Sequence, residues 1–340
     1  MFNLNTLVRP NILALEAYSS ARDEFSGSEG IFLDANENPF GNLNRYPDPL
    51  QKELKQKLSA IKSVDTGNIF TGNGSDEAID LCFRIFCKPG KDKALIFTPT
   101  YGMYEVSANV NNIELIKVEL DSNFQIDSDT AKDALEDNMI KLIFICSPNN
   151  PTGNTINNVE DIVKSFNGIV VVDEAYADFS NTSLIDKIDV YPNLIILQTL
   201  SKSWGLAAAR IGIAFASADI IKLFNKVKPP YNISRLNYTA AVDALDKLEI
   251  YKLQKSTIIS EREKLTAALA NLPMVKKVYP SQANFLLIQV TDADKIYNAL
   301  AAKNIIIRNR NKVVNNCLRI SVGTPQENQE LVAALKTIES

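Results

Sequence analysis

The stretch LIILQTLSKSWGLAAARIGIAFA, residues 194–216, contains two short apolar runs joined by a polar loop. The runs LIIL (194–197) and IGIAFA (211–216) do not alternate between apolar and polar residues. Short continuous runs of this kind are typical of strands that are buried on both faces. Such strands belong to largely parallel sheets that helices cover on both sides. The stretch therefore predicts an α/β protein.

Similar runs occur earlier in the chain, at ALIF (94–97), LIFIC (142–146) and IVVV (169–172). Helix-like or loop segments separate most of them, as in a doubly covered sheet. The segment 68–87, NIFTGNGSDEAIDLCFRIFC, is interpreted as a loop followed by a helix, because its later apolar residues recur at helical spacing.

A second unit begins near residue 240, where a long amphipathic segment without strands covers 239–272. Strand-like runs follow at NFLLIQV, IIIRN and CLRISVG, and the first two are separated by the helix-like DADKIYNALAAKN. This pattern predicts an α+β unit. We expect a large domain at 47–235 and a small domain made of 1–46 and 236–340, with the N-terminal segment packed on the second unit.

Composition excludes several classes of protein. The 340 residues carry a net charge of −4, which is not the basic footprint of a nucleic-acid-binding protein. No stretch approaches the roughly 20 apolar residues of a membrane span, and MFNLNTLVRP lacks the features of a signal peptide. The four cysteines form no CxxC pair, so we expect no metal site and a cytoplasmic protein. There is no histidine, so proton transfer must use another side chain.

The ends of the predicted strands carry the candidate chemistry, because open α/β sheets bind ligands beyond the carboxyl ends of their strands. The groups that follow the strands are Tyr101, Asn150, Asp173 with Tyr176, and Thr199, Ser201 and Lys202. Arg210 stands directly before the next strand. The turn TGNGSDEA (71–78) opens a helix, and its backbone N–H groups suit a phosphate.

Together these groups fit pyridoxal 5′-phosphate (PLP). Lys202 could form the Schiff base, and Asp173 could keep the pyridinium nitrogen protonated. Asn150 and Tyr176 could donate to the phenolate oxygen, and Tyr101 could stack on the ring. The residues suited to the phosphate are Ser75, Asp76, Thr199, Ser201 and Arg210. Each group alone also fits an ordinary role, such as a surface lysine or a turn asparagine, and it is their common sheet edge that favours PLP.

The motifs SPNNPTG, VDEAY and SKSWGLAAARIG stand in the order found in the fold-type I PLP-dependent aminotransferases, which the chain resembles over nearly its whole length. The resemblance implies a mostly parallel seven-stranded sheet in the large domain and a smaller α+β domain. Within that group the chain is most similar to the histidinol-phosphate aminotransferases. The motifs that carry this likeness are LVRPNI (7–12), YSSARDEF (18–25), LDANENPFG (33–41), NRYPDP (44–49), TGNGSDEAI (71–79) and CLRISVGT (317–324).

The resemblance implies roles for particular residues. Lys202 is similar to the family's Schiff-base lysine and proton carrier, and Asp173 and Tyr176 complete the implied catalytic group. Tyr46 resembles a tyrosine that reaches the cofactor phosphate of the neighbouring subunit, which implies a homodimer.

Four further residues match the family's substrate-binding positions. Arg319 is similar to the arginine that binds the anionic end of the substrate, and Arg308 resembles a second arginine on that side. Tyr18 and Asn36 are similar to N-terminal residues that fold over the substrate.

The implied reaction is reversible amino transfer between L-glutamate and imidazole acetol phosphate, which gives L-histidinol phosphate and 2-oxoglutarate in L-histidine biosynthesis. An aromatic amino-acid aminotransferase and a threonine-phosphate decarboxylase are alternatives within the same family. A regulatory PLP-binding module is an alternative of another class, although the chain has no spare DNA-binding region.

Overall fold

A computed structural model describes residues 2–18, 30–180 and 182–338. This part of the chain is built on a seven-stranded sheet and a four-stranded sheet. The predicted fold class, a large α/β unit with a smaller α+β unit, is confirmed. No helix within these ranges has the length and apolar character needed to cross a membrane.

The large sheet has the strand order β1-β7-β6-β5-β4-β2-β3. Its strands are β1 (Ile69–Asn73), β2 (Lys93–Thr98), β3 (Glu114–Glu119), β4 (Ile140–Cys146), β5 (Ile169–Asp173), β6 (Leu194–Thr199) and β7 (Ile211–Ala216). Only β7 runs antiparallel to its neighbours β1 and β6, so the other strands share one carboxyl edge. The start of β7 lies at the same edge.

All five apolar runs predicted for this sheet are strands, but two other strands were not predicted. The interpretation of 68–73 as a loop is wrong, since these residues include β1. β1 is short and contains Thr71 and Gly72, which weaken the apolar signal of a buried strand. β3 lies at the sheet edge and is largely exposed, so it has no continuous apolar run.

Helices cover both faces of the large sheet. They are α1 (Leu4–Leu7), α2 (Pro10–Leu13), α3 (Lys52–Lys62), α4 (Gly74–Phe86), α5 (Met103–Val110), α6 (Ser128–Leu135), α7 (Val159–Ser165), α8 (Ala218–Val227) and α9 (Arg235–Leu245). Buried residues of α3, α6, α7 and α9 form one core with the sheet. Buried residues of α2, α4, α5 and α8 form the other.

The smaller unit is an antiparallel sheet with helices. Its elements are α10 (Leu248–Ala270), β8 (Val275–Val278), β9 (Phe285–Val290), α11 (Ala293–Ala301), β10 (Arg308–Asn309), β11 (Cys317–Ser321) and α12 (Pro325–Lys336). The strand order is β10-β11-β9-β8, with every pair antiparallel. The predicted helix and the strands at NFLLIQV and CLRISVG are present, and β8 is an additional strand. Of the predicted strand IIIRN (305–309), only Arg308–Asn309 is a strand.

The N-terminal segment packs differently from the expectation. Val8 and Ile12 are buried in the core of the large sheet, and the backbone N–H of Arg9 donates to the Ile85 carbonyl at 2.9 Å. The expectation that this segment packs on the second unit is therefore wrong for residues 2–13. The buried side chains of α9 also join the large-sheet core, beyond the expected boundary at residue 235. The domain boundaries themselves stay a prediction.

Two glycines allow α4 to begin directly against β7. Gly74 has a φ of +72°, and its N–H donates to the Arg210 carbonyl at 2.7 Å. A Cβ added to Gly212 would lie 2.0 Å from the carbonyl carbon of Gly74 and 2.1 Å from the Ser75 nitrogen. Only glycine fits this crossing, which brings the N-terminus of α4 beside Arg210.

We predict that Gly212→Ala destabilises the protein by about 3 kcal/mol or more, because the added methyl meets rigid backbone rather than a movable side chain. Urea unfolding followed by circular dichroism measures the change. Gly67→Ala is the matched control, since a Cβ there meets no atom within 4 Å. An unfolding midpoint for Gly212→Ala equal to that of Gly67→Ala would contradict the close packing.

Candidate active site

A cavity of ≈ 350 Å³ opens at the carboxyl edge of the large sheet. Residues of the small sheet form the rest of its wall. The structure brings twelve predicted site residues to this cavity: Ser75, Asp76, Tyr101, Asn150, Asp173, Tyr176, Thr199, Ser201, Lys202, Arg210, Arg308 and Arg319. The strand-end argument therefore located a real cavity, while the roles of these residues stay predictions.

Asp173 is a buried carboxylate at the end of β5. The Tyr104 hydroxyl donates to its Oδ2 at 2.6 Å, and the Ala175 N–H donates to its Oδ1 at 3.1 Å. Burial raises the pKa of Asp173, although the Tyr104 hydrogen bond opposes this shift. A cation at the cavity face of Asp173 would stabilise the ionised form, and the pyridinium nitrogen of PLP is such a group.

Tyr104 was not among the predicted residues. It lies in the first turn of α5, is fully buried, and stacks on Phe144 with ring centroids 4.9 Å apart. Its ring also meets Tyr101 edge-on at 5.6 Å. Tyr101 precedes α5, so helical spacing does not link the two tyrosines, and the sequence carries no clear signal for Tyr104.

Lys202 lies half-buried in the loop between β6 and β7. Its Nζ is 5.6 Å from the ring centroid of Tyr176. Burial lowers the pKa of Lys202, and the positive charge of Arg319 lowers it further, while Asp173 acts in the opposite direction. A lowered pKa increases the neutral fraction of the amine, which is the form that attacks a carbonyl carbon.

A set of donors suited to a phosphate lies at the start of α4. The Gly74 N–H donates to the Arg210 carbonyl, but no side chain caps this helix, so the next N–H groups, from Ser75 onward, are available to an anion. The Thr199 hydroxyl donates to the Ser201 hydroxyl at 3.0 Å, beside the same end of the cavity. Arg210 Nη2 is 3.5 Å from Asp76 Oδ2, and Arg210 has a φ of +52°. Backbone amides, hydroxyls and a guanidinium therefore meet at one end of the cavity, as the phosphate of PLP requires.

Asn150 connects the two ends of the cavity. Its Nδ2 is 3.4 Å from the hydroxyl oxygen of Tyr176, and both side chains are buried. Arg319 donates to Asn150 Oδ1 and lies 5.1 Å from the ring centroid of Phe285. The residue suited to the phenolate oxygen of PLP thus also contacts the arginine suited to a substrate anion.

The opposite end of the cavity is rich in arginine. Arg308 and Arg319, both predicted, line it together with Arg310, which was not predicted. The sequence signal for Arg310 was its position two residues after Arg308, because residues two apart in a strand share one face.

Three predicted residues lie outside this cavity. Tyr18 is exposed, and Asn36 lines a separate surface pocket with Tyr46. Tyr46 is 48% exposed and stacks on Tyr231 with ring centroids 4.4 Å apart. Their roles toward substrate and cofactor stay predictions. Among the described residues, no group of three His, Cys, Asp or Glu side chains is arranged to hold a metal ion.

Comparison with known proteins identifies the family to which the chain belongs. The family model "Aminotransferase class I and II" matches residues 24–335. A histidinol-phosphate aminotransferase of Parabacteroides distasonis is 50% identical to the chain over 345 residues, with 100% of both sequences covered. One from Bacteroides fragilis is 52% identical over 344 residues, with 99% of both covered.

Solved structures show the same fold at lower identity. The histidinol-phosphate aminotransferase of Clostridium acetobutylicum superposes with a TM-score of 0.80 at 24% identity and covers 87% of this chain and 90% of its own. The histidinol-phosphate aminotransferase of Sinorhizobium meliloti, solved in complex with PLP, superposes with a TM-score of 0.79 at 24% identity. The superposition covers 89% of each chain. With the family match over most of the sequence and the full-length relatives near 50% identity, the chain belongs to the class I and II aminotransferases and, among them, to the histidinol-phosphate aminotransferase family.

Proposed function

We propose that this protein is a PLP-dependent histidinol-phosphate aminotransferase. It transfers an amine reversibly between L-glutamate and imidazole acetol phosphate, and the products are L-histidinol phosphate and 2-oxoglutarate, in L-histidine biosynthesis. One observation carries the proposal. A single cavity holds Asp173, Lys202 and a set of phosphate donors at one end and several arginines at the other.

When bound, PLP supplies an aldehyde that accepts the amine and a ring that takes up the electron pair as the substrate Cα–H bond breaks. Asp173 holds the ring nitrogen in its protonated form. Tyr104 and the Ala175 N–H keep that carboxylate in place. Tyr101 would stack on the ring, and Asn150 with Tyr176 would bind its phenolate oxygen.

Lys202 performs the proton transfers. Its Nζ would accept the proton that leaves the substrate Cα and carry it for return, and bound PLP would supply the carbon that takes it up. The chain has no histidine, and Lys202 is the amine that lines the cavity. Because burial and Arg319 lower the pKa of Lys202, a larger fraction of the amine is neutral and able to accept a proton.

Arginine binds both kinds of substrate anion. The planar guanidinium pairs with a carboxylate or with a phosphate through two parallel hydrogen bonds. Arg319 can thus hold the distal carboxylate of glutamate in one half-reaction and the phosphate of histidinol phosphate in the other. Burial lowers the pKa of Arg319, but an arginine stays protonated at any physiological pH.

We further propose that the enzyme is a cytoplasmic homodimer in which Tyr46 binds the partner's cofactor phosphate. The four cysteines are buried and unpaired, as in a reducing compartment. Large apolar side chains are exposed along the N-terminal arm and on α9: Ile31, Leu33, Phe40, Leu43 and Leu236. Leu43 and Leu236 line the same surface pocket as Tyr46, and clustered exposed apolar side chains are typical of a subunit interface.

We predict that the PLP-loaded protein uses L-histidinol phosphate with 2-oxoglutarate at least about 100-fold better in kcat/KM than L-phenylalanine. The phosphate gains charged hydrogen bonds worth about 1.5–3 kcal/mol each, which the phenyl group lacks. Coupled assays of glutamate formation measure both rates. Lys202→Ala is the control for catalysis at this site and should show no turnover.

Two results would contradict the proposal. Equal kcat/KM for the two amino donors would favour an aromatic aminotransferase. Release of carbon dioxide from L-threonine phosphate, without amino transfer from histidinol phosphate, would favour a decarboxylase.

We predict that Arg319→Gln raises the pKa of Lys202, because it removes a nearby positive charge. Only the neutral amine combines with the PLP aldehyde, so the association rate rises with pH until Lys202 is deprotonated. The midpoint of that rise should move to higher pH in Arg319→Gln. Stopped-flow absorbance with apoprotein and PLP measures it. Arg84→Gln, on the exposed face of α4, is the charge-matched control. An unchanged midpoint in Arg319→Gln would exclude the electrostatic effect.

We predict that Tyr46→Phe weakens PLP binding about tenfold, the cost of one hydrogen bond to a charged group. A hybrid of Tyr46→Phe and Lys202→Ala subunits contains one intact site if Tyr46 acts on its partner. That hybrid should bind one PLP per dimer with wild-type affinity. Fluorescence titration of purified hybrids measures this. A hybrid that binds PLP no better than the Tyr46→Phe homodimer would place Tyr46 in its own subunit's site.

A further inference from the structure

The arginine end of the cavity is set by the pairing of two strands. β10 and β11 are antiparallel, with Arg308 directly opposite Arg319. The ladder continues past β10, because the Arg310 N–H donates to the Cys317 carbonyl at 2.9 Å. Directly opposed residues share a sheet face, as do residues two apart. Three guanidinium groups therefore extend from one face into the cavity.

The opposite face of this strand is anchored to α11. Asn309 and Asn311 alternate with the arginines, and their amides donate to the two carboxylate oxygens of Asp294 at 2.6 and 2.9 Å. These two hydrogen bonds keep the asparagine side chains on the face that is turned away from the cavity. The same alternation directs Arg308 and Arg310 toward it.

This arginine cluster, Arg308, Arg310 and Arg319, has no counter-charge of its own among the residues that the structure describes. None of its three members forms an ion pair with a carboxylate in the described ranges, 2–18, 30–180 and 182–338. The Nε of Arg310 is buried and has no hydrogen-bond partner. Burial lowers the pKa of Arg310, and repulsion by Arg319 and Arg308 lowers it further. Three like charges held together without an acid are stabilised by an anion that brings more than one negative charge.

We propose that Arg310 is a specificity-determining residue that makes the cavity prefer a phosphate monoester dianion to a carboxylate. This proposal rests on the proposed function. It identifies Arg310 as the residue that makes the enzyme prefer L-histidinol phosphate to L-glutamate as amino donor. The Coulomb attraction of each guanidinium for a dianion is about twice that for a monoanion at equal distance. A third guanidinium therefore favours histidinol phosphate over glutamate, although both bind in the same place.

The test compares Michaelis constants in the PLP-loaded enzyme. In Arg310→Gln, the KM for L-histidinol phosphate should rise about tenfold, as for the loss of one charged hydrogen bond. The KM for L-glutamate should change less than about threefold, and kcat should stay within about twofold of wild type, because Arg310 binds the distal anion and not the reacting carbon. Lys312→Gln removes the same charge from an exposed position of the same loop and should leave both KM values unchanged.

Two further measurements separate specificity from a structural role. Arg310→Lys, which keeps the charge, should recover part of the lost affinity for histidinol phosphate. In wild type, the KM for histidinol phosphate should rise as pH falls through about 6, where a phosphate monoester takes up its second proton. This rise should be smaller in Arg310→Gln. Equal increases of both KM values, or no increase in either, would overturn the proposal.

Inorganic phosphate distinguishes failure of this inference from failure of the proposed function. Its inhibition constant against the amino donor that the holoenzyme does use should rise in Arg310→Gln, while that of glutarate should not. The same difference between the two inhibitors is expected even if the wild-type enzyme does not use histidinol phosphate. That result would contradict only the proposed function. Equal inhibition of wild type and variant by phosphate would overturn the role of Arg310.

Discussion

A carboxylate buried at the end of a central strand is the constraint on which the site depends. Removing Asp173 from water is costly unless hydrogen bonds and an opposite charge compensate. Tyr104 and the Ala175 N–H provide the hydrogen bonds, and burial still raises the pKa of Asp173. Lys202 contributes a favourable positive charge, and a protonated pyridine ring would add a cation on the cavity side. The fold thus stabilises the carboxylate only in part, and the role that we propose for Asp173 is to pair with the ring nitrogen of PLP.

Charge is segregated along the cavity, and this explains how one lysine serves both half-reactions. The acidic side chains lie toward the large sheet, where Asp173 faces the ring position and Asp76 lies near Arg210. Among the residues that the structure describes, the small sheet contributes only arginines, Arg308, Arg310 and Arg319, to the cavity wall. Lys202 lies between the two ends, so that Arg319 lowers the pKa of the lysine while Asp173 opposes the shift. Arg319, for which we propose a role in binding the substrate anion, thus also lowers the pKa of the lysine.

The sequence predicted the sheet and its edge better than it predicted contacts across the core. Continuous apolar runs identify strands that are buried on both faces, whereas β1 and β3 lack such runs and were missed. The same limit applies to the site. Strand-end reasoning found Asp173 and Lys202, which directly follow or end their strands. It missed Tyr104, because its hydrogen bond to Asp173 joins residues 69 positions apart. It also missed Arg310, whose position depends on strand alternation in a two-residue strand.

That short strand shows how substrate recognition depends on register. A shift of β10 by one residue would exchange its two faces, since side chains alternate along a strand. Asn309 and Asn311 would then line the cavity, and the arginines would meet Asp294 on α11. Two residues of pairing specify register weakly by themselves. The bidentate contact of Asp294 with both asparagines adds a second, independent constraint. The alternating sequence RNRN therefore contacts α11 with one face and lines the cavity with the other, so these four residues link the packing of the small unit to the charge of the cavity.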